Sequence, residues 1–231
     1  MALNEILARA KKEQRAVLTE IEAKQILTGI GINCTDTRLA ASKTEAVELS
    51  EMIGYPVVLK ISSVDITHKS DAGGVKVNLK NRDEVEQAFD LIMESAAAKF
   101  PDANIEGVSV QAMAKPGIEI IMGMIKDASF GPVVMFGLGG VLVEVLKDVA
   151  FRIVPIDKND AVEMIEEIKG KKLLEGYRGQ DPVDIACLQD MLVKLSDFVD
   201  QTPGIEEIDM NPVFAYKDGA AVVDARIILY Q

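Results

Sequence analysis

Basic side chains, cysteine, histidine and long apolar runs are all scarce in this chain of 231 residues. Lys and Arg number 25 against 37 Asp and Glu, a formal net charge of -12 with an isoelectric point near 4.6. Such a field repels nucleic acid and anionic membrane surfaces, so neither is expected as a partner. The same acidity serves solubility, which needs no partner at all. Two cysteines, Cys34 and Cys187, are too few and too isolated for a disulfide framework or a zinc site, and they fit a reducing compartment. The stretch FGPVVMFGLGGVLV, broken by glycines and a proline, falls short of the roughly 18 apolar residues a membrane helix needs. Glu5 and Glu13 are out of place in a secretory leader, so the expected location is cytoplasmic.

What is present is an ordinary globular composition, 48% hydrophobic and 27% charged, in a chain long enough for one large domain or two small ones. The opening residues predict an amphipathic helix with Leu3, Ile6, Leu7 and Ala10 on one face. Three later helix starts carry a capping residue followed three positions on by glutamate: Thr19 with Glu22, Ser42 with Glu45, and Asn81 with Glu84. DPVDI predicts a fourth, capped by Asp181 with Pro182 in its first turn and burying Ile185, Leu188, Leu192, Leu195 and Val199. A weaker helix is expected over 160–168.

Strands are expected in YPVVLKI, GGVKVNL, GVSVQAM, IEIIMGMI, PVVMFG, EEIDMNPVF and AAVVDARIIL, with Val75, Val77 and Leu79 sharing a face. Helices and hairpins are mixed rather than alternating as strand-helix units, which places the chain in the α+β class with two lobes. The turn at AKPG suggests a division into 20–112 and 113–231, with the helix of 1–19 joined to the second lobe.

The only histidine, His68, falls in DITHKSDAGGVKV, within a connection of about a dozen residues where hairpin loops usually take 2 to 5. Gly73 and Gly74 could bring backbone N–H groups close to a phosphate, although paired glycines also make ordinary turns. Lys60, on the preceding strand, is either a point charge for phosphate or a snorkelling side chain. In EEIDMNPVF, Asp209 and Asn211 are two apart and share a strand face.

VVLKISSVDITHKSDAGGVKVNL resembles the nucleotide-binding lobe of ATP-grasp proteins, and specifically the β subunit of ADP-forming acetyl-CoA (acyl-CoA) synthetases, relatives of succinyl-CoA synthetase. LTEIEAKQILTGIGI, EIIMGM, FGPVVMFGLGGVLVEVLKDVAFRIVPI, LLEGYRGQDPVDI, EEIDMNPV and VVDARI extend the resemblance over essentially the whole chain. It implies an ATP-grasp fold, two lobes of mainly antiparallel sheet flanked by helices and clamping ATP or ADP. Lys60 then matches the phosphate-contacting lysine, and Gly73 and Gly74 the glycine-rich strand entrance. Gln111, Ala112 and Met113 match the adenine-contacting backbone, and Glu119 a carboxylate near the ribose. Asn211 and Asp224 match the Mg²⁺ ligands, an oxygen pair suited to that ion. His68 matches the histidine at the nucleotide site that carries a phosphoryl group, and Asp209 the acidic residue that orients it.

The implied activity joins acyl-CoA, ADP and phosphate to give acid, CoA and ATP. It requires a CoA-binding α subunit, in an α2β2 assembly, for the half of the chemistry this chain lacks. Another ATP-grasp carboxylate ligase, or a non-catalytic ATP-binding regulatory module, would be the alternatives; the intact set of Lys60, His68, Asn211 and Asp224 weighs against the module. Glu144, Arg152 and Arg178 also match family motifs, without a role that the residues themselves suggest.

Overall fold

The computed structural model describes residues 3–66, 69–140, 148–179 and 181–230. In chain order the elements are α1 (Leu3–Lys12), α2 (Glu20–Gly29), β1 (Thr37–Ala40), α3 (Lys43–Ile53), β2 (Val57–Ser62), β3 (Val75–Leu79), α4 (Arg82–Lys99), β4 (Gly107–Ala112) and β5 (Ile118–Asp127). There follow β6 (Gly131–Leu138), β7 (Val149–Ile153), α5 (Lys158–Glu167), a 3₁₀ turn (Lys169–Leu173), α6 (Ile185–Asp200), β8 (Ile205–Tyr216), β9 (Gly219–Val222) and β10 (Ala225–Leu229). Every strand ladder among the described residues is antiparallel. Among the described residues no helix is long and apolar enough to cross a membrane.

The chain separates into two units, Thr35–Lys115 and a larger one made of Met1–Cys34 with Pro116–Gln231. The segment 20–34, expected in the first lobe, instead packs in the larger unit, because Ala23, Ile26, Leu27 and Ile32 are buried in that unit's core. The second crossing falls after Lys115, three residues beyond the expected boundary.

The smaller unit has sheet order β1-β4-β2-β3. Alternation along β2 and β4 sends Leu59, Ile61, Val108 and Val110 to one face, where Val47 of α3 and Phe89 and Ile92 of α4 cover them. The helix starts are those the sequence signals. Ser42 Oγ accepts the Glu45 N–H at 3.2 Å and Asn81 Oδ1 the Glu84 N–H at 3.0 Å. In both, the glutamate reaches one residue past the cap, to the N–H of Ala41 and of Lys80. On β3 the expected face breaks: Asn78 has φ 60 and the register against β2 shifts there, so Val77 is exposed while Leu79 is buried.

In the larger unit the order is β10-β8-β5-β6-β7, with β9 on β8. Ile120, Met122 and Met124 of β5, Val134 and Phe136 of β6 and Ile208 and Met210 of β8 form one apolar face, buried with Leu27 of α2, Met164 of α5 and Leu188, Leu192 and Leu195 of α6. Truncating the fully buried Phe136 in such a core costs about 3–5 kcal/mol. Residues 16–18 cover the β10 edge, through Leu18 N–H to Ile227 O and Leu229 N–H to Ala16 O at 3.0 and 2.7 Å. Helix α6 begins three residues later than its apparent proline signal. Asp184 N–H is held by the carbonyl of Tyr216 at 2.7 Å, and Asp184, not Asp181, caps the helix by accepting from Cys187 N–H. Asp181 instead pairs with Lys217.

Candidate functional site

Lys60 lies within β2, facing Val75 of β3 and Ser109 of β4. It shares the sheet face opposite the helices with Ser62, Ser109 and Gln111, all buried polar residues. A lysine on a polar strand face is not snorkelling out of an apolar core. Gln111 is anchored there too, its Oε1 accepting from the hydroxyls of Thr35 and Thr37 at 3.4 and 3.2 Å. Ala112 and Met113 follow as exposed residues at the end of β4, and Met113 N–H donates to Pro56 O at 2.9 Å.

Twelve residues, 63–74, connect β2 to β3. Thr67 and His68 lie outside the described residues. Both flanks are pinned. On one side Ile66 is buried, Ser63 Oγ donates to Asn104 O at 2.8 Å, and Asp65 accepts from Asn104 N–H at 2.8 Å. On the other, Ala72 is buried and its carbonyl accepts from Ser95 Oγ of α4 at 2.7 Å, while Lys99 Nζ donates to Asp71 O at 2.9 Å. Gly73 and Gly74 do not offer free donors to a phosphate: their N–H groups close the turn onto Ser70 O and Lys69 O at 2.9 and 2.8 Å. Their role is steric. Gly73 has φ 72, and a Cβ on Gly74 would sit 2.5 Å from Ile61 Cγ2.

The larger unit concentrates the remaining residues around one irregularity. Strand β8 pairs with β10 through Met210 and with β9 from Val213 onward, and the exchange of partners falls on Asn211 and Pro212. The β9–β10 connection is Val223 and Asp224, so both sequence-assigned metal ligands stand at this exchange. Asn211 N–H donates to Asp224 O at 3.2 Å, and Val223 N–H to Pro212 O at 2.9 Å. The structure therefore brings Asn211 and Asp224 together. An amide carbonyl and a carboxylate are the kinds of oxygen donor Mg²⁺ accepts when substrate phosphates and waters complete its shell. No group of three or more His, Cys, Asp or Glu among the described residues could hold a metal by itself.

Asp209, two residues back, faces Gly123 on β5 and Arg226 on β10. Gly123 is required by close approach, since a Cβ there would lie 2.4 Å from Ile208 O. Burial pushes the Asp209 carboxyl above the ordinary range; Arg226 pulls it back, and the Glu207 and Asp224 charges push it up again. Glu207 and Arg226 are part of the constellation that sequence reading did not single out. The Glu-x-Asp-x-Asn alternation of β8 put Glu207 on the right face, but only the β8–β10 register sets Arg226 opposite Asp209. Glu119 is exposed on β5, with its carbonyl accepting Gly139 N–H at 2.7 Å and Gly140 packed over its carboxylate.

The ATP-grasp domain family matches residues 9–229. Acetate-CoA ligase (ADP-forming) I subunit beta of Pyrococcus furiosus is 53% identical over 225 residues, 97% of each chain. The chain belongs to the ATP-grasp family, among the β subunits of ADP-forming acyl-CoA ligases. Its likeness to the dinucleotide-forming acetyl-coenzyme A synthetase 1 of Ca. Korarchaeum cryptofilum, solved with coenzyme A and Ca-AMPCP, is 49% in sequence with a TM-score of 0.96, covering 99% of this chain and 100% of that one. A second structure of that enzyme, with coenzyme A and Mg-AMPPCP and its phosphohistidine segment pointing towards the nucleotide-binding site, gives 46% and 0.87 over the same shares. Acetate-CoA ligase (ADP-forming) I of Archaeoglobus fulgidus is 46% identical over 208 residues, 90% of this chain but 30% of that longer one. Two other positions matching this ATP-grasp family have packing accounts in the chain. Arg152 ties β7 to α5 through Glu163 and Glu167, and Arg178 lies over the Tyr177 ring with its centroid 5.3 Å away. Glu144 lies outside the described residues.

Proposed function

We propose that this chain is the nucleotide-binding β subunit of an ADP-forming acyl-CoA synthetase, acting with a CoA-binding α subunit in an α2β2 assembly in the cytoplasm. The observation that carries the reading is the Asn211 and Asp224 pair at the β8 partner exchange, with Asp209 one pleat away, in a chain matched to the ATP-grasp family over residues 9–229. The assembly converts acyl-CoA, ADP and phosphate to acid, CoA and ATP.

Lys60 supplies a point charge for the nucleotide phosphates. The backbone of Gln111, Ala112 and Met113 meets adenine, and Glu119 the ribose. Gly73 and Gly74 shape the entrance without donating. Asn211 and Asp224 hold Mg²⁺, which when bound neutralises charge on the phosphate oxygens. His68 carries the phosphoryl group. Its P–N bond breaks with the electron pair staying on the imidazole as a P–O bond forms to the terminal phosphate of ADP. Asp209 takes the role of the acidic residue that this family pairs with its phosphohistidine, where a carboxylate favours one imidazole tautomer. The phosphohistidine segment of the Korarchaeum enzyme supports a histidine route, and the longer Archaeoglobus relative supports a partner for this chain.

The test is incubation with Mg·[γ-³²P]ATP, alone and with the α subunit. Alone, the chain should acquire an acid-labile, base-stable label on His68 and make no ATP from acyl-CoA; the partner should restore synthesis. Full turnover by the isolated chain, or His68→Ala turning over normally with the partner, would refute it.

A further inference from the structure

Strand β6 ends against Glu119 in a way that only small residues permit. Gly139 extends the β5–β6 ladder by one position, its N–H donating to Glu119 O at 2.7 Å, and Gly140 then breaks the strand with φ 62. Left-handed backbone suits glycine and strains most other residues. Contact is a second constraint. A Cβ on Gly140 would lie 2.6 Å from Glu119 Oε2, and one on Gly139 would lie 3.2 Å from Glu119 Cβ. Glu119, Ile121 and Gly123 alternate along β5 with the buried Ile120, Met122 and Met124, so all three belong to the open face of the larger sheet. Asn211 and Pro212 fall opposite Ile121, between the pairings of Ile120 with Val213 and of Met122 with Met210, and Asp209 falls opposite Gly123. Over about 13 Å of one strand the face thus offers first the Glu119 carboxylate, then the Asn211 and Asp224 pair, then Asp209. A nucleotide presents its ribose and its phosphates in that order.

We propose that Gly140 is a positioning residue that seats the Glu119 carboxylate for the ribose hydroxyls, and that this seat makes the site selective for ribonucleotides over their deoxy forms. This rests on the reading of Glu119 as the ribose carboxylate given above and extends it to a residue with no assigned role. A carboxylate accepts from ribose hydroxyls, and a hydrogen bond to a charged acceptor is stronger than one between neutral groups. Removing a hydroxyl takes away the donor and leaves base and phosphates as they were. Gly140 acts only through Glu119. A side chain there would push Oε2 away by about 1 Å to reach the comfortable carbon-oxygen approach of about 3.3–3.6 Å. The displaced carboxylate loses the hydroxyl, while the phosphate contacts stay in place.

Calorimetry on the full-length chain measures the affinities for Mg·ADP, Mg·2′-deoxyADP and Mg·3′-deoxyADP, with the melting temperature, in the parent, Gly140→Ala, Gly140→Asn, Glu119→Ala and the Glu119→Ala/Gly140→Asn double variant. The parent should bind ADP about 10- to 100-fold more tightly than the weaker of the two deoxy analogues. Gly140→Asn adds a Cβ but tolerates the left-handed region, so it should melt close to the parent while that preference falls at least about fivefold. It decides the matter if Gly140→Ala does not fold. Glu119→Ala should lose the preference, and the double variant should match it within about twofold, because Gly140 has nothing to seat once the carboxylate is gone. Parental preference in a folded Gly140→Asn, or equal weakening of ADP and its deoxy analogues, overturns the role of Gly140 alone. A parent that binds all three nucleotides equally, or Glu119→Ala with its preference intact, overturns the ribose reading and this inference with it.

Discussion

Replacing Gly123 by alanine puts a methyl group at the centre of the β5–β8 ladder, directly across from Asp209. The new Cβ would stand 2.4 Å from Ile208 O, where about 3.3–3.6 Å is the closest comfortable carbon-oxygen approach. Strand β8 must therefore move by about 1 Å, since the contact is with backbone and no rotamer can relieve it. Overpacking of this kind costs about 1–3 kcal/mol. In a chain of this size that lowers the melting temperature by about 2–12 °C. The same displacement carries Asp209 and Asn211, and a misplacement of about 1 Å in a positioned catalytic group costs about 100-fold in rate. Calorimetry and His68 labelling from Mg·ATP read the two effects on one sample. Gly123→Ala melting within about 1 °C of the parent and labelling at the parental rate would show that β8 has slack and that Gly123 does not seat Asp209.

Three other outcomes are expected. Glu22 is buried, yet its carboxyl lies below the ordinary range because hydrogen bonds from Arg15, Thr19 N–H and Arg9 outweigh the cost of burial. Its stabilisation is therefore present above the unfolded value near 4.3 and lost as pH falls through the lower folded value; Glu22→Gln should cost about 1–3 kcal/mol at pH 7 and flatten the acid limb of a melting-temperature profile, whereas an unchanged limb refutes the network. Asp224→Ala should weaken Mg·ADP binding at least about tenfold in calorimetry, with a melting temperature close to the parent because no core cavity opens; unchanged affinity in a folded variant counts against the ligand assignment. Ser95→Ala removes the donor to Ala72 O, a loss of about 1 kcal/mol, and should speed amide exchange at Gly73 and Gly74; unaltered exchange would mean that α4 does not pin this flank of the histidine loop.

How much of this was legible in the sequence depends on whether the deciding contact was local. The helix caps at Thr19, Ser42 and Asn81 were readable because a cap and its glutamate lie within one turn. Asp181 with Pro182 carried an equally good local signal and did not open α6. A carbonyl 32 positions on in Tyr216 holds the Asp184 N–H outside the helix, and no local pattern reveals that bond. Val77 failed for a related reason, since alternation assumes a regular strand and Asn78 in the left-handed region turns the pleat. The short β1 and β7 were missed because TRLA and VAFRI hold too few alternations to stand out, and both exist by pairing with longer neighbours.

The site divides along the same line. That Lys60 turns away from Leu59 and Ile61 could be read from VVLKIS, but the buried Ser109 and Gln111 that make its face polar come from the β2–β4 register. Asp209 and Asn211 could be set together by their spacing of two. Arg226 could not, because its meaning comes from standing opposite Asp209 across a ladder whose strands are joined through β9. A period-two pattern says which residues of one strand share a face and nothing about which residue of the next strand they meet. Charge balance at the site is therefore the part of the chemistry that only register can supply.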